Sequence, residues 1–377
     1  MVSGPLAGQN LGDLGADVIK VENMMGDTAR WTGPPERGGI NGFFAQFNRN
    51  KRAISVDMKT DEGIAIVRKL ALAADVIVCN YRPGVAERLG FGYDSLREEN
   101  PGLVFVSVSG FGPDGPYSEQ PVYDLVTQGM SGILPLQGLD GPPQMLRSVM
   151  ADKTTAITAA SAALAALLAR ERNGGKGQHV QVPMVNAYAQ LTLPDVMTHE
   201  TFQPKPEGEP SIPNIFHVWT CADGYLVGMP IEDKQYANLC KALGRDDLAE
   251  DPRFKSIAVR LGNTAQMIEL IDAELSKWAW RDALAALKAH DVPFAPVYNL
   301  DDFMSDPQVQ HNRTVFDAQD PHGGTTRYVR HPADYPDSPA TLRRHPPRYG
   351  EHTAEILAEA GYSEPEVNAL RKAQVIA

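Results

Sequence analysis

The sequence is poor in cysteine and lacks the side-chain patterns of a metal centre. Its three cysteines, Cys79, Cys221 and Cys240, are odd in number, lie far apart and form no C-x-x-C pair. No histidine and glutamate stand at the spacing of metal ligands. These absences exclude a disulfide framework and a zinc site from the predicted fold, and we expect no metal cofactor.

The sequence also lacks a long hydrophobic run and an excess of positive charge. The longest apolar stretch, residues 156–169, is mostly alanine and is too short to span a bilayer. No basic region followed by an apolar core stands at the amino terminus, so no signal peptide is predicted. The net charge of −12 argues against binding to nucleic acid or to a membrane surface. We therefore expect a cytoplasmic protein with neither of these partners.

Short apolar segments alternate with helical ones through the first half of the chain. Residues 75–79 and 103–109 are apolar runs of strand length, and residues 61–73 have helical character with acids in their first turn. This alternation is typical of an α/β fold in which helices cover both faces of a parallel sheet. The predicted fold class is therefore α/β, with a Rossmann-like, doubly wound parallel sheet.

The pattern changes after a polar, proline-rich stretch, which divides the chain into domains. We assign residues 1–195 to the large domain, completed by about 310–377. Residues 196–214 are predicted to be a linker, and residues 215–305 a smaller α+β domain that opens with a hairpin.

Two glycine-rich segments resemble nucleotide-binding loops without meeting their requirements. Gly110–Gly115 fits G-x-G-x-x-G after a strand, but Pro113 and Pro116 interrupt the helix that should follow. Gly174–Gly177 lacks the spacing and the hydroxyl residue of a phosphate loop. We interpret the first as an ordinary loop and the second as a helix stop.

Asp152 stands alone at the start of a long alanine-rich helix. An aspartate at a helix N-terminus is usually an N-cap, since its oxygen accepts hydrogen bonds from the free N–H groups. The same position favours the negative charge, which would keep the carboxylate ionised and nucleophilic. From this segment alone the cap is the stronger interpretation.

Several cations are predicted around the carboxyl ends of the parallel strands, where ligands bind in such sheets. They are Arg49, Lys51, Arg52, Lys59, Arg82 and Arg88. In an acidic chain they are candidates for phosphate binding, and Tyr81 is a candidate to lie against a flat base. A solvated basic rim explains any one of these cations equally well.

Taken together, eight segments in order resemble the class III CoA-transferase family, also called the CaiB/BaiF family. They cover nearly the whole chain: LGDLGADVIKVE (11–22), FNRNKRAISVDMKTDEG (47–63), NYRPGVAERLGFGYDSLREENPGLVFVSVSGFGPDGPY (80–117), YDLVTQGMSG (123–132), GQHVQVPM (177–184), DPRF (251–254), VPFAPVYNLDDFMSDPQV (292–309) and GEHTAEIL (350–357).

The resemblance implies an enzyme that moves coenzyme A from an acyl-CoA to a small carboxylic acid. In the family an aspartate at the position of Asp152 forms a mixed acyl anhydride and then an aspartyl-CoA thioester. The family positions that contact CoA correspond to Val56, Lys59, Asn80, Tyr81, Arg88 and Tyr123. The family fold also implies an interlaced homodimer.

Two other functions remain open. The family includes α-methylacyl-CoA racemases, which typically carry His-Asp where this chain has Tyr123-Asp124. A tyrosine, with an ordinary pKa of about 10, suits proton exchange near neutral pH less well than a histidine, so we favour the transferase. A non-catalytic CoA-binding protein is the third possibility.

Two departures from the family pattern produce further expectations. Family members usually begin with one more strand, so we expect either a late start of the sequence or a sheet without that internal strand. Residues 209–216 lack the glycine run of formyl-CoA:oxalate enzymes, so formyl-CoA and oxalate are disfavoured as substrates.

Overall fold

The structure is a computed structural model that describes residues 1–138, 141–205, 207 and 215–377. Much of the predicted linker, and most of the segment that lacks the glycine run, lies outside the described residues. The chain divides into two compact units. The large unit comprises Met1–Thr198 and Thr314–Ala377, and the small unit comprises His199–Arg313.

Within the described residues, the first part of the large unit contains five strands and nine α-helices. The strands are β1 (Val18–Glu22), β2 (Lys51–Ser55), β3 (Val76–Cys79), β4 (Val104–Ser109) and β5 (His179–Pro183). The helices are α1 (Ser3–Asp13), α2 (Gly42–Phe47), α3 (Asp61–Ala73), α4 (Val85–Arg88), α5 (Tyr93–Arg97), α6 (Asp124–Met130), α7 (Ile133–Gly138), α8 (Met150–Arg172) and α9 (Met184–Thr192).

The five strands are parallel, but they form two sheets. β1 pairs with β2, and β4 lies between β3 and β5. Among the described residues no backbone ladder joins β1 to β3, so each of these strands has one edge without a strand partner. The prediction of parallel α/β structure is confirmed, while the single continuous sheet is replaced by two.

Helices cover both faces of the β3–β4–β5 sheet. Val104, Val106 and Val108 alternate along β4 and pack on one face against the buried alanines of α8 and against α1. Phe105 points to the opposite face, in a cluster that includes side chains of α3. Because alternate residues of a strand face opposite sides, residues 104–106 are buried on both faces, whereas Ser107 and Ser109 near the carboxyl end of β4 are half-buried.

Local capping and burial explain where several of these elements begin. α3 occupies residues 61–73 as predicted, since Thr60 caps it by accepting from the Gly63 N–H at 3.0 Å. β2 begins at Lys51, and all five of its residues are buried, including the charged Lys51 and Arg52. α2 begins after Asn41, whose side chain caps the helix by accepting from the Phe44 N–H at 2.8 Å.

The last part of the large unit returns to cover the outer edge of β2. It contains β9 (Val315–Gln319), β10 (Thr325–Val329), α17 (Thr353–Glu359) and α18 (Glu364–Lys372). The His352 N–H donates to the Ala53 carbonyl at 3.0 Å, and the Asp57 N–H donates to the Val375 carbonyl at 2.8 Å. These contacts satisfy backbone groups of β2 and of the residues that follow it, which would otherwise form an exposed edge.

The small unit has its own sheet and hydrophobic core. Its strands are β6 (Val218–Cys221), β7 (Gly224–Gly228) and β8 (Phe294–Pro296), and they are antiparallel. Its helices are α10 (Asp233–Ala242), α11 (Asp246–Ala249), α12 (Ile257–Gly262), α13 (Thr264–Leu275), α14 (Trp280–Ala289), α15 (Leu300–Ser305) and α16 (Pro307–His311). Trp219 is fully buried at the centre of the core, and its indole N–H donates to the Gly228 carbonyl at 2.6 Å.

No helix within the described ranges is long and apolar enough to cross a membrane.

Candidate active site

Asp152 lies in the first turn of α8, as its third residue, and not at the N-cap. Val149 occupies the N-cap position and makes no side-chain capping hydrogen bond. The interpretation of Asp152 as a cap is therefore wrong, because the helix begins two residues earlier than the carboxylate. The side chain is consequently released from capping and is directed toward groups outside its own helix.

Two other helix N-termini supply the surroundings of Asp152. Ser3, the first residue of α1, donates its hydroxyl to Oδ1 of Asp152. Asp124, the first residue of α6, accepts a hydrogen bond from the Asp152 backbone N–H at 3.0 Å. Gln128 holds Asp124 in place by donating to its other carboxylate oxygen at 2.5 Å. Ser3 and Asp124 are buried, while Asp152 is only half-buried and is accessible to a ligand.

The pKa of Asp152 is raised from its ordinary value, contrary to the effect of a helix terminus alone. Burial is the largest cause, because it disfavours the charged form, and the nearby Asp124 carboxylate adds repulsion. The hydrogen bond from Ser3 opposes both by stabilising the ionised form. The ionisation of Asp152 therefore depends on its burial and on the balance between the Ser3 donor and the Asp124 carboxylate.

We expect replacements of these two neighbours to move the pH dependence of activity in opposite directions. If ionised Asp152 is the reacting group, activity falls as pH decreases through its pKa. Ser3→Ala removes a donor that lowers this pKa, so the acidic limb of kcat/KM should move to higher pH. Asp124→Asn removes a charge that raises it, so the limb should move to lower pH. Shifts of the same sign in both variants, measured in one buffer series, would contradict this assignment.

Residues after the strands continue the site along the carboxyl edge of the two sheets. Asn80, which follows β3, lies so close to Gly4 that an added Cβ at Gly4 would be 3.0 Å from the Asn80 Cγ. Gly4 therefore lets α1 approach this loop. The Tyr81 hydroxyl is 4.0 Å from the Met58 sulfur, in the segment after β2. The structure thus places Asn80 and Tyr81 between the Asp152 neighbourhood and the Val56–Lys59 segment.

The remaining residues that are predicted to contact CoA differ in their exposure to solvent. Lys59 and Arg88 are exposed, and Tyr123 is 68% exposed directly before α6. Val56 is fully buried, and its N–H already donates to the Glu22 carbonyl at 2.9 Å. The Val56 N–H is therefore not available to a ligand, and any contact at this position would be made by residues next to Val56.

The proposed phosphate-binding roles of Arg49, Lys51 and Arg52 are corrected by the structure. All three lie at or before the start of β2, whereas ligands bind beyond the carboxyl ends of the strands, and all three are buried in internal pairs. Arg49 donates to both carboxylate oxygens of Asp13, at 3.0 and 2.5 Å.

The other two cations are also occupied. The Lys51 ammonium donates to the carbonyls of Pro5 and Phe47 and to Oδ1 of Asn48, at 2.6–2.8 Å, and burial holds its pKa well below the usual range. Arg52 pairs with Asp17, Glu355 and Glu359. By contrast, Arg82 is exposed on the loop after Tyr81.

A cavity of about 230 Å³ opens beside Tyr81 on one face of the β3–β4–β5 sheet. Cys79, Ser107 and Gln181 stand side by side on neighbouring strands and line it together with Arg82. Ser107 is hydrogen-bonded to Nε2 of His179 at 2.8 Å. The cavity provides polar groups next to the predicted CoA contacts.

Sequence reasoning missed Ser3 and Asp124 as neighbours of Asp152. Asp124 had a signal, because it adjoins Tyr123 in one of the segments that carry the family resemblance. Ser3 had none, since it is 149 residues from its partner and no local pattern marks it.

Solved structures share this fold. The crystal structure of a CaiB/BaiF family protein from Brucella suis matches with a TM-score of 0.82 and 35% sequence identity, over 95% of this chain and 96% of that chain. This similarity, with the parallel strands described above, confirms the predicted fold class.

The sequence comparisons establish the family. The family model of CoA-transferase family III matches residues 1–353. Succinate–glutarate CoA-transferase from Agrobacterium fabrum is 36% identical over 376 residues, which are 95% of this chain and 92% of the relative. Formyl-CoA:oxalate CoA-transferase from Streptomyces avermitilis is 33% identical, over 99% of this chain and 96% of the relative.

The chain belongs to CoA-transferase family III, as the resemblance predicted. The two relatives named above are CoA-transferases, which supports CoA transfer as the general chemistry.

Proposed function

We propose that this protein is an acyl-CoA:carboxylate CoA-transferase in which Asp152 is the nucleophile. The observation that carries the proposal is the setting of Asp152. Its half-buried carboxylate is oriented by Ser3 and by the backbone contact with Asp124, at the start of a long helix. A positioned carboxylate with one accessible side is what covalent catalysis at a thioester requires.

The proposed reaction has four exchanges, and each conserves charge. The Asp152 carboxylate oxygen attacks the thioester carbonyl, the carbon–sulfur bond breaks, and a mixed anhydride and CoA thiolate form. The thiolate attacks the Asp152 Cγ, which releases the donor acid and leaves an aspartyl-CoA thioester. The acceptor carboxylate displaces the thiolate to give a second anhydride. The thiolate then attacks the acceptor acyl carbon and regenerates Asp152.

The protein groups around Asp152 would assist these four reaction steps by orienting the reacting groups and by stabilising charge. The hydrogen bond from Ser3 orients the attacking carboxylate and favours its ionised form. Backbone N–H groups at the start of α1 can stabilise the oxyanion that forms in each attack, whereas the Met150, Asp152 and Lys153 N–H groups of α8 already have acceptors. Asn80 and Tyr81, with Arg88, Lys59, Val56 and Tyr123, are the proposed surroundings of CoA.

The relatives suggest the first substrates to test. We propose succinyl-CoA as donor and glutarate as acceptor, because the 36% identical relative is named a succinate–glutarate CoA-transferase. Formyl-CoA with oxalate is the comparison pair, named for the 33% identical relative. Purified protein would be incubated with each donor, with and without each acceptor, and the CoA products identified by mass spectrometry.

A new acyl-CoA should appear only when donor and acceptor are both present. Deuterium incorporation at the α-carbon of an acyl-CoA without any acceptor would instead indicate a racemase. Tight binding of CoA without turnover of any pair would indicate a non-catalytic binding protein. Either result would overturn the transferase proposal.

We also propose that the protein is an interlaced homodimer. In support, α8 leaves an apolar stripe exposed in the single chain: Ile157 is 59%, Leu164 45% and Leu168 53% exposed. These residues recur on one side of the helix, at the spacing of a packing face. Sedimentation equilibrium should give the mass of a dimer on dilution; the mass of a single chain would contradict the proposal.

A further inference from the structure

A second cavity lies at the carboxyl edge of the β1–β2 sheet. Its volume is about 480 Å³, which is within the range of small-molecule sites. Met24 follows β1 and Asp57 follows β2, while Arg371, Gln374 and Ile376 come from α18 and the residues after it. This cavity therefore joins the ligand edge of the sheet to the end of the chain.

The C-terminal segment is fixed in this position by the sheet. The Asp57 N–H donates to the Val375 carbonyl, and Ile376 forms a β-bridge with Val56. Val375 and Ile376 are buried, so the segment is anchored and its polar neighbours are presented to the cavity. Arg371 is held on the last turn of α18 above this anchor.

Arg371 differs from the cations at the start of β2. Its guanidinium is exposed and makes no side-chain hydrogen bond or ion pair with any residue that the structure describes. Arg49, Lys51 and Arg52, by contrast, are fully occupied by internal partners. Arg371 is thus a cation available to an anionic ligand at a cavity of suitable size.

A continuous series of contacts connects this cavity to Asp152. Asp152 accepts from Ser3, Gly4 lies against Asn80, Tyr81 lies beside Met58, and Asp57 lines the cavity. If the thiol of CoA reaches Asp152, as the proposed function requires, this series of contacts offers the nucleotide a path to the cavity. The anion most distant from the thiol is the 3′-phosphate on the ribose.

We propose that Arg371 binds the 3′-phosphate of CoA and so distinguishes CoA from 3′-dephospho-CoA. The inference rests on the proposed function, since it places the thiol end at Asp152. One carboxylate oxygen of Asp57 accepts from the Lys59 N–H at 3.0 Å, which fixes that side chain beside the cavity. The other oxygen has no partner among the residues that the structure describes and can accept from a ribose hydroxyl or an adenine amino group.

The test compares two ligands that differ only in this phosphate. CoA and 3′-dephospho-CoA would be titrated calorimetrically into the full-length protein, Arg371→Ala, Arg371→Lys and Lys372→Ala. Lys372 is the matched control, because it is the next residue of α18, is also exposed and does not line the cavity. Far-UV circular dichroism would verify that each variant is folded.

We expect the unmodified protein to bind CoA about tenfold more tightly than 3′-dephospho-CoA, as one charge-assisted contact provides. Arg371→Ala should lose this preference by weakening CoA binding alone, Arg371→Lys should keep part of it, and Lys372→Ala should keep all of it. Equal weakening of both ligands in Arg371→Ala, or an unchanged preference, would overturn the assignment while leaving the transferase proposal intact. Failure of the unmodified protein to bind either ligand would overturn both.

Discussion

Asp152→Ala is expected to reduce CoA transfer by about ten-thousand-fold or more, because removal of a covalent nucleophile leaves only binding and orientation. Asp152→Asn should be equally inactive, since an amide cannot form the anhydride. Asp152 is half-buried, and its main partner is the Ser3 hydroxyl. Both variants should therefore fold. Glu171→Ala, at the exposed far end of the same helix, is the matched control and should retain full activity.

The covalent intermediate can be located in the same experiment. Incubation with one acyl-CoA and hydroxylamine should convert the activated aspartate to a hydroxamate. Trypsin cleaves after Arg147 and Lys153, which isolates Asp152 as the only carboxylate side chain of the peptide Ser148–Lys153. Modification of that peptide, absent from Asp152→Asn, is the expected result. Modification of a different peptide, or an active Asp152→Ala protein, would exclude Asp152 as the nucleophile.

Asp13→Ala is expected to destabilise the protein by about 3–5 kcal/mol, the usual cost of leaving one member of a buried ion pair without its partner. Asp13 accepts two hydrogen bonds from Arg49 and one from the Asn50 amide at 2.7 Å. The side chains of the ion pair are 4% and 7% exposed, so water cannot replace the lost carboxylate. Urea denaturation followed by far-UV circular dichroism would measure the change.

An exposed pair provides the contrast for this measurement. Arg97 and Asp94 are 3.3 Å apart, with side chains 56% and 84% exposed. Arg97→Ala should change stability by no more than about 0.5 kcal/mol, because solvent screens the pair. The double variant Asp13→Leu/Arg49→Met should recover part of the loss, since no unpaired charge remains. An Asp13→Ala effect as small as that of Arg97→Ala would contradict the proposed energetic role of the pair.

The sequence was informative wherever structure depends on neighbouring residues. α3 could be predicted to the residue because its cap and its acidic first turn are contiguous with it. The apolar β3 and β4 predicted a parallel sheet, since strands buried on both faces have no polar side. Asp152 could be selected as a candidate because the start of a long helix is recognisable from composition.

Tertiary pairing decided what the sequence left unresolved. Arg52 and Arg88 are the same residue type in the sequence, but Arg52 pairs with Asp17, Glu355 and Glu359, whereas Arg88 is exposed. Glu355 and Glu359 are some 300 residues from Arg52 in the sequence, so no local pattern predicts these ion pairs. The raised pKa of Asp152 likewise depends on burial and on Asp124, which act through space and not through the helix alone.

Because C-terminal residues pack against β2, we expect the two units to fold at different times during synthesis. The outer edge of β2 is completed by residues 343–375, so the large unit cannot acquire its full set of contacts until almost the entire chain has left the ribosome. The small unit is continuous in sequence and can close earlier, since its contacts are all available once residue 313 has emerged. Limited proteolysis of stalled nascent chains should therefore detect a protected small unit before the large one. Protection of residues 1–198 first would exclude this order.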